Sequence, residues 1–268
     1  MTSLSHDTSH LAATYDRLSD SQFEGGKRLV ERLGLKAGDR VLDVGCGTGR
    51  LARWIAERVA PGGAVVGIDP LVERVTIARA RSAGISFEVG QAEDLSAFAS
   101  ESFAAVCMSA VFHWVNDKPR ALAEARRVLR AGGRLGVTTL PRELLGASTM
   151  AAICGPIFGQ SPYAERADLS ALAIASRGHT TTELVTMLMG ADLELVELHV
   201  VQRNRVHPSG EDLIDFVESS TFGNFLRVVP EDLRPALRRD LVAAFEVRKG
   251  PEGIPVRDYG TLLVATRG

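Results

Sequence analysis

The stretch Val41 to Ala52, V-L-D-V-G-C-G-T-G-R-L-A, constrains this chain more than any other, because an apolar segment holding one acid runs straight into three alternate glycines. Val41, Leu42 and Val44 read as the end of a buried parallel strand. Leu51, Ala52, Ile55, Ala56 and Val59 recur at helical spacing and form the apolar stripe of a following helix. Between them, Gly45, Gly47 and Gly49 suit a turn whose backbone takes positive φ or lets a ligand come close. The helix amides beyond Gly49 present partial positive charge at that turn, so an anionic or carboxylate-bearing ligand fits.

The details narrow the ligand. A dinucleotide fingerprint wants G-x-G-x-x-G with a pyrophosphate over the helix N-terminus; here the spacing is G-x-G-x-G, Arg50 holds the place of the last glycine, and Asp43 stands before the first. An acid there repels a pyrophosphate and suits a cation such as an α-ammonium group. A second apolar strand, Ala64 to Ile68, ends in Asp69-Pro70. An acid at that strand tip accepts two hydrogen bonds from a ribose diol, as it also does in nicotinamide enzymes, or else it caps the helix expected over Leu71 to Ala83. A third short strand, Ser86 to Val89, leads into Gly90-Gln91-Ala92-Glu93-Asp94-Leu95, where Glu93 and Asp94 taken alone read as a solvated turn.

Strands and helices go on alternating to about residue 140, with a fourth strand over Phe103 to Met108, a helix over Asp117 to Arg130 and a fifth strand over Arg134 to Leu140. This is the pattern of an α/β, doubly wound, mostly parallel sheet with right-handed crossovers. Ligands in such sheets sit beyond the carboxyl ends of the strands, where Gly45, Asp69, Gln91 and Ser109 converge. From Pro141 to His179 the pattern loosens. Thr180-Thr181-Thr182-Glu183 then spells a capping box for a helix through Met189, and Leu193 to Val201 reads as a strand. A second interruption runs from Gln202 to about Arg257, with helices starting near Ser209 and Pro230, before a last strand over Thr261 to Thr266.

The hydrophobic-Asp-x-Gly-x-Gly-x-Gly turn resembles the first motif of the class I S-adenosylmethionine (SAM)-dependent methyltransferases, whose cofactor carries an ammonium, a carboxylate, a sulfonium and a ribose. The segment Ser109 to Val115 and the helix and strand over Ala121 to Leu140 are similar to small-molecule methyltransferases of the ubiquinone/menaquinone, malonyl-carrier and trans-aconitate type. The resemblance implies a seven-stranded sheet with an antiparallel last strand, Leu193 to Val201 and Tyr259 to Thr266 forming the closing pair. It implies that Asp43 takes the ammonium, Gly45, Cys46, Gly47 and Gly49 the methionyl backbone, Asp69 and Pro70 the ribose, Gln91, Ala92 and Glu93 the adenine, and Ser109 to Val111 the sulfonium side. Gln91 departs mildly, since Asp is common at that place in the family. Tyr15-Asp16 resembles the family's A-x-x-Y-D and is expected to fold over the cofactor, with Tyr15 capping the carboxylate or merely packing.

The implied organisation is an N-terminal helical segment over the cofactor (1–34), a cofactor-binding core (35–140, 180–201 and 258–268) and a helical cap of two substrate-recognition insertions (141–179 and 202–257). The insertions hold Phe158, Tyr163, Phe216, Phe222, Phe225 and Phe245. These form an acceptor pocket or, taken one at a time, more simply the cap's own core. Phe222-Gly223-Asn224-Phe225 is the expected pocket wall or lid. Beyond the fourth strand, His113 and Trp114 are the candidates to touch the acceptor. An imidazole there serves as general base for a hydroxyl or amine, holds a carboxylate, or is a structural group bonded within its loop.

Other classes are excluded on chemical grounds. Enzymes methylating nucleobase amino groups resemble N-P-P-Y or D-P-P-Y where this chain has Met108-Ser109-Ala110-Val111, and a net charge of −2 supplies no basic field for nucleic acid. No run approaches the ~18 apolar residues of a membrane span, and the polar N-terminus lacks a signal core, so a cytoplasmic protein is expected. Cys46, Cys107 and Cys154 are far apart and form no C-x-x-C pair, so no metal site is expected. The expected function is methyl transfer to oxygen or nitrogen of a small organic acceptor, with a nicotinamide oxidoreductase or a non-catalytic SAM-binding protein as rivals.

Overall fold

A computed structural model describes residues 16–17, 19–168, 178–219 and 225–268. Seven strands form one sheet in the order β3-β2-β1-β4-β5-β7-β6. They are β1 (Arg40–Val44), β2 (Ala64–Asp69), β3 (Ser86–Val89), β4 (Phe103–Ser109), β5 (Leu129–Thr139), β6 (Glu194–His207) and β7 (Ile254–Thr266). Strands β3, β2, β1, β4 and β5 pair in parallel, and β7 runs antiparallel between β5 and β6. Val41 to Val44 are all buried because helices cover both faces of this half of the sheet.

One face carries α1 (Asp20–Arg32), α2 (Arg50–Val59) and α3 (Val72–Arg81); the other carries α4 (Lys118–Val128) and α7 (Thr181–Gly190). Alternation along the strands splits the core accordingly. Leu42, Val44 and Met108 pack against Leu122 and Ala125 of α4 and Leu188 of α7. Val41 and Cys107 pack against Leu29 of α1, Ile55 of α2 and Val75 of α3. The α7 capping box forms as its sequence spells it, with Glu183 N donating to Thr180 Oγ1 at 3.2 Å and Thr180 N to Glu183 Oε2 at 2.8 Å. Asp117 caps α4 by accepting from Arg120 N at 3.0 Å.

A third core lies outside the sheet. Helices α5 (Thr149–Phe158), α6 (Tyr163–Arg166), α8 (Gly210–Ser219) and α9 (Arg234–Glu246) bury Ile153, Phe158, Tyr163, Leu213, Ile214, Leu241 and Phe245 against one another. The strands reaching it are longer than their sequence suggests. Pairing of β6 with β7 continues past Val201 to His207 and Ile254, whereas β5 stops at Thr261. The segment Gln202-Arg203-Asn204-Arg205 reads as a loop because it is polar, yet it is the outer half of a two-stranded ribbon with no third strand to bury it. Arg203 Nε donates to Asp258 Oδ1 at 2.7 Å, and Arg205 pairs with the same carboxylate, which fastens the ribbon across its strands. Ile254 and Val256 then deliver the ribbon into the cap core.

Candidate cofactor site

The crevice opens where β1, β2 and β4 end, beside the first turn of α1. Gly45, Gly47 and Gly49 take φ of +72°, +54° and +82°, the left-handed region that side chains resist. A Cβ on Gly45 would stand 2.2 Å from Val111 Cγ2, so the turn and the loop after β4 close against each other only because that atom is missing. A Cβ on Gly47 would meet nothing within 4 Å, which leaves that backbone open to the crevice. Gly49 serves differently from expectation: it does not line the crevice, and a Cβ there would lie 2.8 Å from Phe87 Cζ. Its bareness lets α2 start close to the core.

The turn is tied to β2. Gly45 N and Cys46 N donate to Ile68 O at 2.7 and 2.9 Å, and Gly47 N donates to Asp69 Oδ2 at 2.9 Å. Asp69 Oδ1 accepts from Leu71 N at 2.9 Å, so the acid both closes the turn leading into α3 and supports the glycine turn. The cavity between these elements measures ≈ 210 Å³, and its lining includes Asp43, Gly45, Cys46, Gly47, Asp69, Pro70, Gln91, Ala92, Glu93, Ser109, Val111 and Trp114. Burial, then Asp43 and Asp69, hold the Cys46 thiol well above its usual range, so it contributes shape rather than a nucleophile.

Asp43 dominates the electrostatics. It sits on β1 opposite Gly67 and Cys107, is 1% exposed, and its Oδ2 has no hydrogen-bond partner among the described residues. Burial first, and then the charge of Asp69, push its carboxyl up to about 7. A buried carboxylate oxygen left without a donor is costly unless something else supplies one. An ammonium group entering the crevice supplies both charge and hydrogen, which is the fit expected of the amino-acid end of SAM.

Other expected residues are placed differently. Glu93 Oε1 accepts from Asn116 N at 2.8 Å and Asp117 N at 3.3 Å, so its carboxylate pins the loop before α4, while the residue still lines the crevice. His113 is corrected: it is 6% exposed, does not line the crevice, and its Nδ1 lies 3.4 Å from Thr139 Oγ1. Burial, then Lys118 and Arg203, lower its pKa to about 3, so the imidazole stays neutral and is a poor proton acceptor. Phe225 is also corrected. It meets Phe158 edge-on at 6.2 Å and packs on the cap core rather than lining the crevice. Tyr15 and Phe222 lie outside the described residues. Ser19, Gln22, Phe23, Thr48, Arg50, Arg74 and Asn116 line the crevice without having been expected there. Arg74 had a signal, since Asp69-Pro70 aims the first turn of α3 at the site; Ser19, Gln22 and Phe23 fall in the N-terminal segment (1–34) expected over the cofactor, though none was singled out.

Comparison with known proteins places the chain in a family. Residues 42–137 match a family described as "Methyltransferase domain". The chain is 32% identical over 246 residues to the nocamycin O-methyltransferase of Saccharothrix syringae, covering 87% of each chain. The protein belongs to the class I SAM-dependent methyltransferases. Over a shorter stretch this methyltransferase is 36% identical to the demethylmenaquinone methyltransferase of Symbiobacterium thermophilum, covering 46% of its own chain and 53% of that one. Its fold is shared by a putative methyltransferase from Bacillus halodurans, with a TM-score of 0.59, 22% identity, and coverage of 91% and 99% of the two chains. Membership removes the oxidoreductase rival and establishes SAM as the methyltransferase's cofactor.

Proposed function

We propose that this methyltransferase methylates an oxygen of a small organic acceptor that is acidic enough to react without a protein base. The observation that carries the cofactor half is the buried Asp43 carboxylate at the crevice, whose Oδ2 has no donor among the described residues. Asp43 receives the ammonium, the Gly45 to Gly47 backbone the methionyl chain, Asp69 the ribose diol, Gln91, Ala92 and Glu93 the adenine end, and Ser109 to Val111 the sulfonium side. Bound there, SAM would supply an electrophilic methyl for the acceptor's lone pair, with the electrons of the broken carbon–sulfur bond left on sulfur.

The chain's own contribution is placement. An acceptor oxygen has to approach the methyl in line, and holding it there accounts for most of the acceleration such a site provides. Ser109, Ala110, Val111 and Trp114 line that end of the crevice, and none carries an ionisable side chain. With His113 turned inward and held neutral, an acceptor already ionised near neutrality, such as a carboxylic acid, an acidic phenol or an enol, suits the site better than an alcohol or amine. Oxygen rather than nitrogen is favoured by the likeness to nocamycin O-methyltransferase, which runs through the cap as well as the core. The deciding experiment is a screen for adenosylhomocysteine formation over carboxylic acids, phenols, enols and amines, with the methyl located by NMR. Turnover confined to amines or aliphatic alcohols overturns the reading.

A further inference from the structure

Thr48, between the last two glycines of the turn, and Arg50, just after them, line the crevice and also reach the segment before α1. Thr48 Oγ1, on a residue only 7% exposed, donates to the Asp16 carboxylate. Arg50 Nη1 donates to Asp16 O at 2.9 Å, its Nη2 to Asp20 Oδ1 at 2.7 Å, and its guanidinium lies 4.7 Å from the ring centre of Phe23. Asp16 Oδ2 completes the set by pairing with Arg81 Nη1 at 2.8 Å, at the last residue of α3. One acid therefore joins the glycine turn, the first residue of α2 and the end of α3. The residues just after it, Ser19, Gln22 and Phe23, form the crevice wall opposite the strand ends.

We propose that Asp16 is a positioning residue for the cofactor: with Thr48, Arg50 and Arg81 it forms a clasp that holds the first turn of α1 as the detachable wall of the crevice, and cofactor exchange proceeds through its release. The two ends of α1 are anchored by different physics. Leu29, Val30 and Leu33 are buried against the sheet and hold the body of the helix regardless of the clasp. The first turn depends on hydrogen bonds and on ion pairs whose arginines are 30% and 40% exposed, and such pairs add little to global stability while being easily broken one at a time. A clasp of this kind sets how long adenosylhomocysteine stays after transfer, and so how soon the next SAM enters. The position that a dinucleotide fingerprint gives to its last glycine is here Arg50, a residue of the clasp.

The proposal rests on the crevice being the cofactor site, and its test needs no acceptor. Release of adenosylhomocysteine is followed by stopped-flow fluorescence after a chase with excess SAM, using Trp114 in the crevice wall, one of two tryptophans in the chain. Asp16→Asn and Thr48→Val are each expected to speed release about tenfold, the factor for losing one charge-assisted hydrogen bond of ordinary strength. The double variant is expected within about twofold of the faster single, because the Asp16–Thr48 contact is common to both. Thr48→Ser restores wild-type release, and the melting temperature of the ligand-free protein stays within a few degrees throughout. Arg81→Met, at a partly exposed side chain of α3, is expected to speed release about threefold and covers the case in which Thr48→Val fails to fold. Release within twofold of wild type in Asp16→Asn and Arg81→Met, or multiplicative effects in the double variant, overturns the clasp. Absence of any adenosylhomocysteine signal in the wild type overturns the cofactor assignment of the crevice itself, and the clasp with it.

Discussion

The two ends of this molecule partner their polar groups in opposite ways. In the cap, Arg238 of α9 is bonded by Glu211, Asp215 and Glu218, and Tyr163 donates to Asp240 at 2.6 Å. At the crevice, Asp43 is buried with one oxygen lacking a donor and its carboxyl is pushed up to about 7. Among the described residues these cap groups find their partners within the cap and Phe158 closes on Phe225, so that composition reports packing. The crevice stores an unfilled demand, and unfilled demand is what a ligand answers. A residue's chemistry thus indicates function only where its surroundings leave that chemistry unused.

That contrast can be broken from either side. Phe245 is fully buried in the cap core, so Phe245→Ala is expected to cost about 3–5 kcal/mol of stability, read by denaturant unfolding, while SAM affinity in the surviving folded protein is unchanged. A large loss of SAM affinity would mean that the cap and crevice are not separate. Asp43→Asn should do the reverse. Binding of SAM by calorimetry is expected to fall by roughly 3 kcal/mol or more, as when one partner of a buried ion pair is removed, while the ligand-free protein becomes more stable at pH 8. The sign follows from the raised pKa: folding favours the protonated acid, so the stability Asp43 contributes is full below about 4 and is lost as pH rises through about 7.

Asp69→Ala is expected to weaken SAM binding by about 1–3 kcal/mol, the range for charge-assisted hydrogen bonds. An unchanged dissociation constant would leave Asp69 as a support for Gly47 and Leu71 alone. The pH dependence of SAM binding sharpens the comparison further. Binding the ammonium requires ionised Asp43, so affinity is expected to fall about tenfold per pH unit below about 7; a flat profile between pH 5 and 8 counts against the assignment. The smallest effect is expected at His113. Because it is neutral and turned toward Thr139, His113→Gln should leave the shape of the pH–rate profile unaltered, whereas loss of a limb near neutrality would restore it as a base.

Legibility followed the same divide. The strand ends carrying Asp43 and Asp69 and the glycine turn were readable because glycines at that spacing mark positive φ and the alternating pattern through Thr139 put them at one edge, whereas the packing of Gly49 on Phe87 had no local signal. His113 misled because an imidazole after β4 looks reactive in sequence, and only its burial against Thr139 and near Lys118 shows it neutral. The N-terminal segment was expected over the cofactor, but Ser19, Gln22 and Phe23 could not be picked out of it because an amphipathic first turn looks alike whether it covers a core or a crevice.

From the residues alone came the doubly wound sheet, the glycine turn and the charge of the ligand's tail, since periodicity and backbone permissiveness are local properties of the chain. The length of the β6–β7 ribbon, the inward turn of His113, the self-contained cap core and the clasp at Asp16 were decided by tertiary structure. Each depends on which groups, far apart in sequence, are brought into contact and which are denied water, and that is fixed only when the chain has packed.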